Sequence, residues 1–512
     1  MKLQERKDAI GAHVALMVGA RLLAGVLSAA IGLLVPRALG KAEYADYGIA
    51  FGIATMLVVI TDLGLTSAFA RTVAQGSATP RLLRRVGTLR AVAAIGGAFG
   101  LGTVGWIMRA VSDADRLGLY LELGGLLVLT SSALGVAMGL LPALRRVRAL
   151  LALTVAQPLL ELVAMTAALA AGYGGAGVLL AGVAAGAVTG TVGLLAVLRS
   201  ERLRDARTEP ATLAAVAKYG RSLFVVAIAF TIFGQLDQLV IYILRGPEEA
   251  AGYIAMWRLV TLLHVVGLAA ATIVAPRVTN GGPAARALFD GWLATLITGY
   301  GLLAAITVAT AGTVVPVALG EKYASSAGLL MALGVYTFLL GLAPLVTMAA
   351  NFLGGAGRRV RIGFATVGVN LVLNLLLVPM LGAYGAAIST SVAFSMYVWL
   401  HLRLAHAALG PPVHITADGS QLPRTFTSTW ALRSAASAAI GAGVGSAAMR
   451  LLEPGLGGVA AVLIGGLLAV GLGALVAWGH PRNAAPRVPV LFERIPARAE
   501  CERARPDEKG VA

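Results

Sequence analysis

The sequence predicts an all-α polytopic membrane protein of about 14 transmembrane helices, built as two pseudo-symmetric six-helix lobes followed by two C-terminal helices. Three observations carry this. Of 512 residues, 58% are hydrophobic and 13% charged, with a mean hydropathy of +0.83, more apolar side chain than a soluble protein of this length hides from water. The apolar residues gather in fourteen runs, each near the ~20 residues that an α-helix needs to cross a bilayer. The basic residues between the runs favour alternate loops. Soluble enzyme classes are excluded by the first observation. A collagen-like chain is excluded because the 64 glycines have no three-residue period, and an outer-membrane barrel because the runs do not alternate at period two.

The runs fall at 13–35, 44–70, 90–109, 118–141, 150–172, 177–198, 219–244, 251–275, 288–312, 326–352, 362–380, 385–403, 432–449 and 457–478. The basic N-terminus is followed by an apolar run too long for a signal-peptide core, so that run is read as the first span. With the N-terminus inside, 31 of the 41 Lys and Arg lie on cytoplasmic segments, 7 on periplasmic ones and 3 within helices. That split predicts a multi-pass protein of the cell inner membrane with both termini cytoplasmic. It also accounts for the net charge of +17 without nucleic acid. Residues 479–512 form a Pro- and Arg-rich tail expected to be disordered or to lie on anionic lipid. The single cysteine, Cys501, lies in that tail, so no Cys-based metal site is expected.

An internal repeat organises the spans. At a constant offset of 206, nine of the 32 positions 40–71 are identical in the second copy: Gly40/Gly246, Glu43/Glu249, Ala45/Ala251, Tyr47/Tyr253, Thr55/Thr261, Leu57/Leu263, Val59/Val265, Thr66/Thr272 and Arg71/Arg277. Both copies run from the periplasmic to the cytoplasmic side, so the repeat is parallel, about an axis along the membrane normal. It divides the chain into an N-lobe (13–198), a C-lobe (219–403) and an appended helix pair (432–478).

Enzymatic and nucleotide-driven motifs are absent. The chain has no P-loop sequence, no His-Glu-x-x-His and no long periplasmic loop with paired carboxylates. No cofactor or metal is expected, and the function is not expected to be enzymatic. The signal lies instead in charges within helices, each costing about 2.5–3.5 kcal/mol at mid-membrane on insertion scales. Arg21 and Asp62 lie at a matched depth of roughly 12 Å from the cytoplasmic end. Asp237 and Arg258 lie roughly 10 Å below the periplasmic end. Each lobe therefore offers an acid and a base on consecutive antiparallel helices, expected to pair. Glu161, one turn after Gln157-Pro158, and His264 lie near mid-depth and are candidates for coupling or proton relay. Asn370 and Asn374, four apart, share one helix face and are read as interhelical glue or as sugar-contacting donors.

Segment 19–72 resembles the opening of the bacterial polysaccharide flippases of the multidrug/oligosaccharidyl-lipid/polysaccharide exporter superfamily. The residues that carry the likeness are Leu39-Gly40, Glu43-Tyr44, Tyr47-Gly48, Asp62-Leu63-Gly64-Leu65 and Arg71. In the second lobe they are Leu236-Asp237, Gly252-Tyr253 and Arg258, followed by segments 319–330 and 370–390. The resemblance implies alternating-access transfer of lipid-linked oligosaccharide to the periplasmic leaflet. On this resemblance, membrane lipids, a polysaccharide polymerase and glycosyltransferases would be its partners. On that reading Arg21 and Arg258 line a cavity and take the substrate's pyrophosphate, because the planar guanidinium donates two hydrogen bonds and stays charged. Asp62 and Asp237 would hold the arginines or serve coupling. A multidrug/cation antiporter of the same superfamily and a membrane polymerase or ligase are the alternatives. The first would favour an anionic cavity and the second a long periplasmic loop.

Overall fold

The computed structural model describes residues 2–112, 114–200, 211–279, 281–353, 356–410, 413–415 and 421–423. Among them, twelve helical stretches are long and apolar enough to cross a membrane. They begin with α1 (Lys2–Ala38). The second expected span is α2 (Lys41–Asp62) continued by α3 (Leu65–Ala74). Then come α4 (Pro80–Val111), α5 (Asp115–Ala143), α6 (Val147–Ala170), α7 (Gly174–Leu198) and α8 (Leu213–Arg245). The eighth span is α9 (Pro247–Leu262), α10 (His264–Val274) and a 3-10 turn at Ala275–Val278. After α11 (Gly282–Leu319) and a short 3-10 segment at Glu321–Ser326, the tenth is α12 (Ala327–Ala332) with α13 (Gly334–Phe352). The series ends with α14 (Ala356–Leu381) and α15 (Ala383–Leu409). Two three-residue strands, β1 (Val413–Ile415) and β2 (Gln421–Pro423), pair antiparallel after it. The runs at 432–449 and 457–478 and the tail at 479–512 lie outside the described residues.

Each of the first twelve runs coincides with a helical span, and the differences are at the ends. The third run starts near 90 by hydropathy, yet α4 starts at Pro80. The Thr79 hydroxyl accepts from the Leu82 amide at 3.1 Å, and proline occupies the first helical position, both standard for an N-terminus. Arg81, Arg84 and Arg85 in that first stretch are exposed, so hydropathy misses turns that capping sets.

Two spans break midway. Leu63 and Gly64 take left-handed backbone (φ 52° and 68°), and a methyl at Gly64 would run into the Gly220 carbonyl of α8. The second break follows α9. There the Tyr300 hydroxyl donates to the Leu263 carbonyl at 2.7 Å and accepts from the Gly267 amide at 2.8 Å, supplying bonds the interrupted helix lacks. The Tyr300 ring lies flat against Gly341 of α13, with no room for a methyl.

The ends of the bundle are labelled here by the charge count: outer for the end holding Gly40 and Gly246, inner for the other. α5 packs on α4, α7 and α2, while α15 packs on α13 and α14. The first six spans (α1–α7, the first set) and the next six (α8–α15, the second set) meet where α2 crosses α8 and α9, and where α3 meets α8. A large apolar core runs through both sets. A second cluster, including Leu65, Phe69, Leu82, Leu140 and Leu141, fills the inner end of the first set. Phe99, Trp106, Ile243, Met380 and Trp399 are exposed, as expected of side chains facing lipid.

The sequence repeat has a physical meaning. Gly40 and Gly246 are the N-caps of α2 and α9. One turn on, Glu43 accepts the Gly175 amide at 2.7 Å, in the first turn of α7. Its repeat mate Glu249 accepts the Ala383 amide at 2.7 Å, the first residue of α15. Each carboxylate thus satisfies an orphan amide at the positive end of another helix. Gly174 and Gly382 precede those amides with φ of 55° and 60°, and a side chain at either would strike the glutamate.

Candidate functional site

A cavity of about 280 Å³ lies where the two sets of spans meet, walled by α1, α2, α8 and α9. Arg258 lines it, together with Ser28, Phe51, Gln235 and Gln238. Its guanidinium sits 5.2 Å from the Phe51 ring centre and 5.8 Å from that of Tyr47. Aromatic faces attract a cation without neutralising it. No carboxylate forms an ion pair with Arg258 among the described residues. Gly52 matters here because a methyl there would displace the Gln235 amide from the cavity wall. Arg21 is exposed and lies seven residues before Ser28, two turns along the same stripe of α1 and about 10 Å nearer the inner end. It too has no ion pair among the described residues.

The expected pairs are not the ones formed. Asp62 pairs with Arg90 of α4 at 2.7 Å rather than with Arg21. Thr66 donates to the same carboxylate at 2.5 Å and also meets the Arg90 guanidinium. Arg90 is buried, so this closed cluster offsets the cost of two charges inside the first set of spans. Depth along a helix fixes one coordinate only, and Arg21 and Asp62 match in depth while facing different neighbours.

Asp237 is the second correction. It is 1% exposed and binds neutral donors instead of Arg258. Asn374 donates at 2.6 Å, Tyr253 at 2.7 Å, and the Thr390 hydroxyl donates as well. Asn370 donates to Thr390 at 3.4 Å. The shared face expected for Asn370 and Asn374 is real: it joins α14 to α8 and α15, and both side chains are fully buried. Neither lines the cavity that holds Arg258. The side-chain oxygens of both asparagines have no hydrogen-bond partner. A buried carboxylate among neutral donors, with spare amide oxygens beside it, can accept a proton or a small hard cation. Among the described residues no three His, Cys, Asp or Glu gather as a metal cluster.

Glu161 is half-buried in α6 and accepts from Gln157 at 2.6 Å, and Gln157 in turn accepts from Thr189. It is held by its own helix and α7, one turn after the proline. His264 is half-buried at the start of α10 and lines a second cavity of about 250 Å³ inside the second set of spans.

Contacts between the two sets lie at both ends. At the outer end Asp46 of α2, paired within the first set to Arg116 of α5 at 2.5 Å, accepts from Tyr242 of α8 at 2.5 Å. Arg37 donates to the Val317 carbonyl at 3.2 Å, and Lys322 donates to the Arg37 carbonyl at 3.0 Å and to that of Leu39. Burial holds the Lys322 ammonium below the usual lysine pKa, with Glu43 opposing and Lys41 adding to the shift. At the inner end Arg71 lies over the Tyr219 ring at 4.5 Å, and the Ala211 amide donates to the Ser77 carbonyl at 3.0 Å.

Sequence reasoning missed Arg90, because it lies at the edge of an apolar run and was counted with a loop. It also missed Thr390 and Tyr253 as partners of Asp237. Tyr253 carried a signal as the repeat mate of Tyr47, whereas a threonine in an apolar helix carries none.

The described residues form a helical bundle of broken spans with a cavity between α1, α2, α8 and α9. Residues 10–280 match the family model described as polysaccharide biosynthesis protein, and the chain belongs to that family. Solved structures of membrane transporters share this fold. A lipid II flippase, MurJ, in an inward closed conformation aligns with a TM-score of 0.68 at 13% identity, over 91% of this chain and 98% of that one. An inward-facing multidrug resistance MATE family transporter aligns with a TM-score of 0.58 at 14% identity, over 77% and 98%. The MATE transporter VcmN of Vibrio cholerae aligns with a TM-score of 0.54 at 15% identity, over 78% and 97%. No curated protein matches the chain in sequence.

Proposed function

We propose that this protein moves lipid-linked oligosaccharide or polysaccharide precursors from the cytoplasmic to the periplasmic leaflet by alternating access of an N-lobe (13–198) and a C-lobe (219–403). The single observation that carries this reading is Arg258. It is a guanidinium without a counter-ion among the described residues, held on aromatic faces in the wall of a cavity between the two sets of spans. A lipid-linked sugar brings a pyrophosphate, and an anionic headgroup inside the membrane needs such a cation. Arg21, on the same cavity stripe of α1, would meet the headgroup first from the cytoplasmic side. The family and the fold shared with a lipid II flippase support the reading. The antiporter alternative would place an acid in that wall, and the residues lining it carry none.

Asp237 is the proposed coupling residue, taking a proton or a small cation inside the C-lobe. Asn370 and Asn374 are then its ligating neighbours, not sugar contacts. Asp62 is proposed to be structural, and Glu161 and His264 are secondary coupling candidates. The proposed setting is the inner membrane with both termini cytoplasmic, beside a polysaccharide polymerase and glycosyltransferases. The orientation is tested with Gln75→Cys in a Cys501→Ala background: it should resist an impermeant thiol reagent in intact cells, and external labelling would reverse the assignment.

The experiment for the function is glycan export in a deletion strain complemented with variants, with membrane levels measured in parallel. Arg258→Ala and Arg21→Ala should each cut export at least tenfold at normal protein level, with Lys at either position restoring part of it. Normal export by the double alanine variant would refute the cationic-cavity mechanism.

A further inference from the structure

The second cavity contains a cation that the proposed transport route does not use. About 250 Å³ in volume, it lies inside the second set of spans and is walled mainly by apolar side chains of α8, α10, α13, α14 and α15. Arg359 lines it near one end. The Nε of Arg359 is shut off from solvent and has no hydrogen-bond partner among the described residues. No carboxylate pairs with this guanidinium among the described residues, and the polar neighbour beside it is the Tyr397 hydroxyl. A partly buried guanidinium whose polar partner is a neutral hydroxyl still carries a desolvation cost, and an anion that brings its own acceptors relieves it.

The position of the cavity narrows the choice of anion. Arg359 sits three residues into α14, about 4.5 Å from the inner end of that helix. That is the level at which the phosphates of a leaflet flank the hydrocarbon layer. Beyond it the walls are apolar. The cavity also adjoins the proposed transport route. One helix, α8, walls both spaces, with Phe233 facing this cavity and Gln235 and Gln238 facing the one with Arg258. At its rim Phe230 and Leu268 are exposed. A ligand fitting this space carries phosphate at one end and a hydrocarbon chain at the other.

We propose that this cavity is a second subsite for the lipid-linked substrate, in which Arg359 takes a phosphate and the apolar wall takes the first part of the prenyl chain. This rests on the reading of a lipid-linked substrate given above and adds a second station for its diphosphate end, occupied when the headgroup is not on Arg258. Arg359 is a specificity residue for the diphosphate end, and Tyr397 supplies a hydroxyl that donates to the same phosphate once it is bound.

The test is photolabelling of the full-length protein in phosphatidylcholine nanodiscs with a benzophenone-bearing prenyl diphosphate, mapped by peptide mass spectrometry. The label should fall on the peptide containing Met348, which lines the cavity. Arg359→Ala should lower that labelling at least tenfold, and Arg359→Lys should lower it less. Ala343→Phe fills the apolar wall while keeping the guanidinium, and it should also lower labelling, which keeps the test valid if Arg359→Ala fails to fold. Labelling unchanged by Arg359→Ala or by Ala343→Phe overturns the proposal. Loss of label to an equal concentration of inorganic pyrophosphate would mean a free-anion site, and equal displacement by phosphatidylglycerol would mean a bulk-lipid site; either overturns it. Labelling intact while glycan export proves independent of this chain would sink the flippase reading and leave the subsite standing as a prenyl diphosphate site.

Discussion

The two sets of six spans share a frame and differ in what they put inside it. Glu43 and Glu249, repeat mates, each hold the first turn of a distant helix by the same bond at the same 2.7 Å. Tyr47 and Tyr253, also repeat mates, are both buried and do different work. Tyr47 turns its face to Arg258 in the central cavity, while Tyr253 donates to Asp237 inside the second set. The two acids diverge in the same way. Asp62 is neutralised by Arg90 at 2.7 Å, whereas Asp237 has only neutral donors among the described residues. The helix-terminus bonds are alike in the two sets and the surroundings of the buried acids are not. On the proposed reading, the acid of the first set serves stability and that of the second titrates or takes a cation.

That contrast yields three graded expectations. The largest effect belongs to Asp237→Asn. It should leave the protein folded, since an amide can occupy the same nest, and should remove at least 90% of any dependence of transport on an imposed ion gradient. The measurement is flipping of a fluorescent prenyl diphosphate in proteoliposomes with and without the gradient. Asp62→Asn should do the reverse, keeping the gradient response in whatever protein folds while leaving Arg90 buried without its counter-charge. A loss of about 3–5 kcal/mol is expected for a broken buried pair, read as a lowered melting temperature in detergent. If both variants behaved alike, the division of labour would be wrong.

The smallest effect should come from the shared frame. Glu43→Gln and Glu249→Gln each weaken a charge-assisted bond to a helix N-terminus, worth about 1 kcal/mol. The two melting temperatures should fall by similar small amounts, with transport retained. A large drop for one and none for the other would show that the repeat no longer serves a common structural purpose.

Much of this frame was legible in the sequence because hydropathy reports one thing well: which stretches must leave water. The first twelve spans follow from it. Helix ends set by capping do not, and so α4 reaches back through three arginines to Pro80. The candidate charges were also legible, since a charge in an apolar run stands out whatever its partner. Their partners were not. Arg21 and Asp62 share a depth, but pairing also depends on which way each side chain faces around its helix axis, and the sequence fixes that only within one helix. Where the question stayed within one helix, as for Asn370 and Asn374, spacing gave the right face. Where it crossed helices, as for Asp237 with Thr390 and Tyr253, only the fold could answer.

The most direct test of the central claim compares Arg258→Ala with Asp237→Asn in the same proteoliposome assay, at matched protein content. The expected result is that Arg258→Ala abolishes flipping of the prenyl diphosphate probe with or without an ion gradient, while Asp237→Asn retains flipping that no longer responds to the gradient. Flipping at the normal rate by Arg258→Ala would contradict the claim that the cation between the two sets of spans carries the substrate's charge.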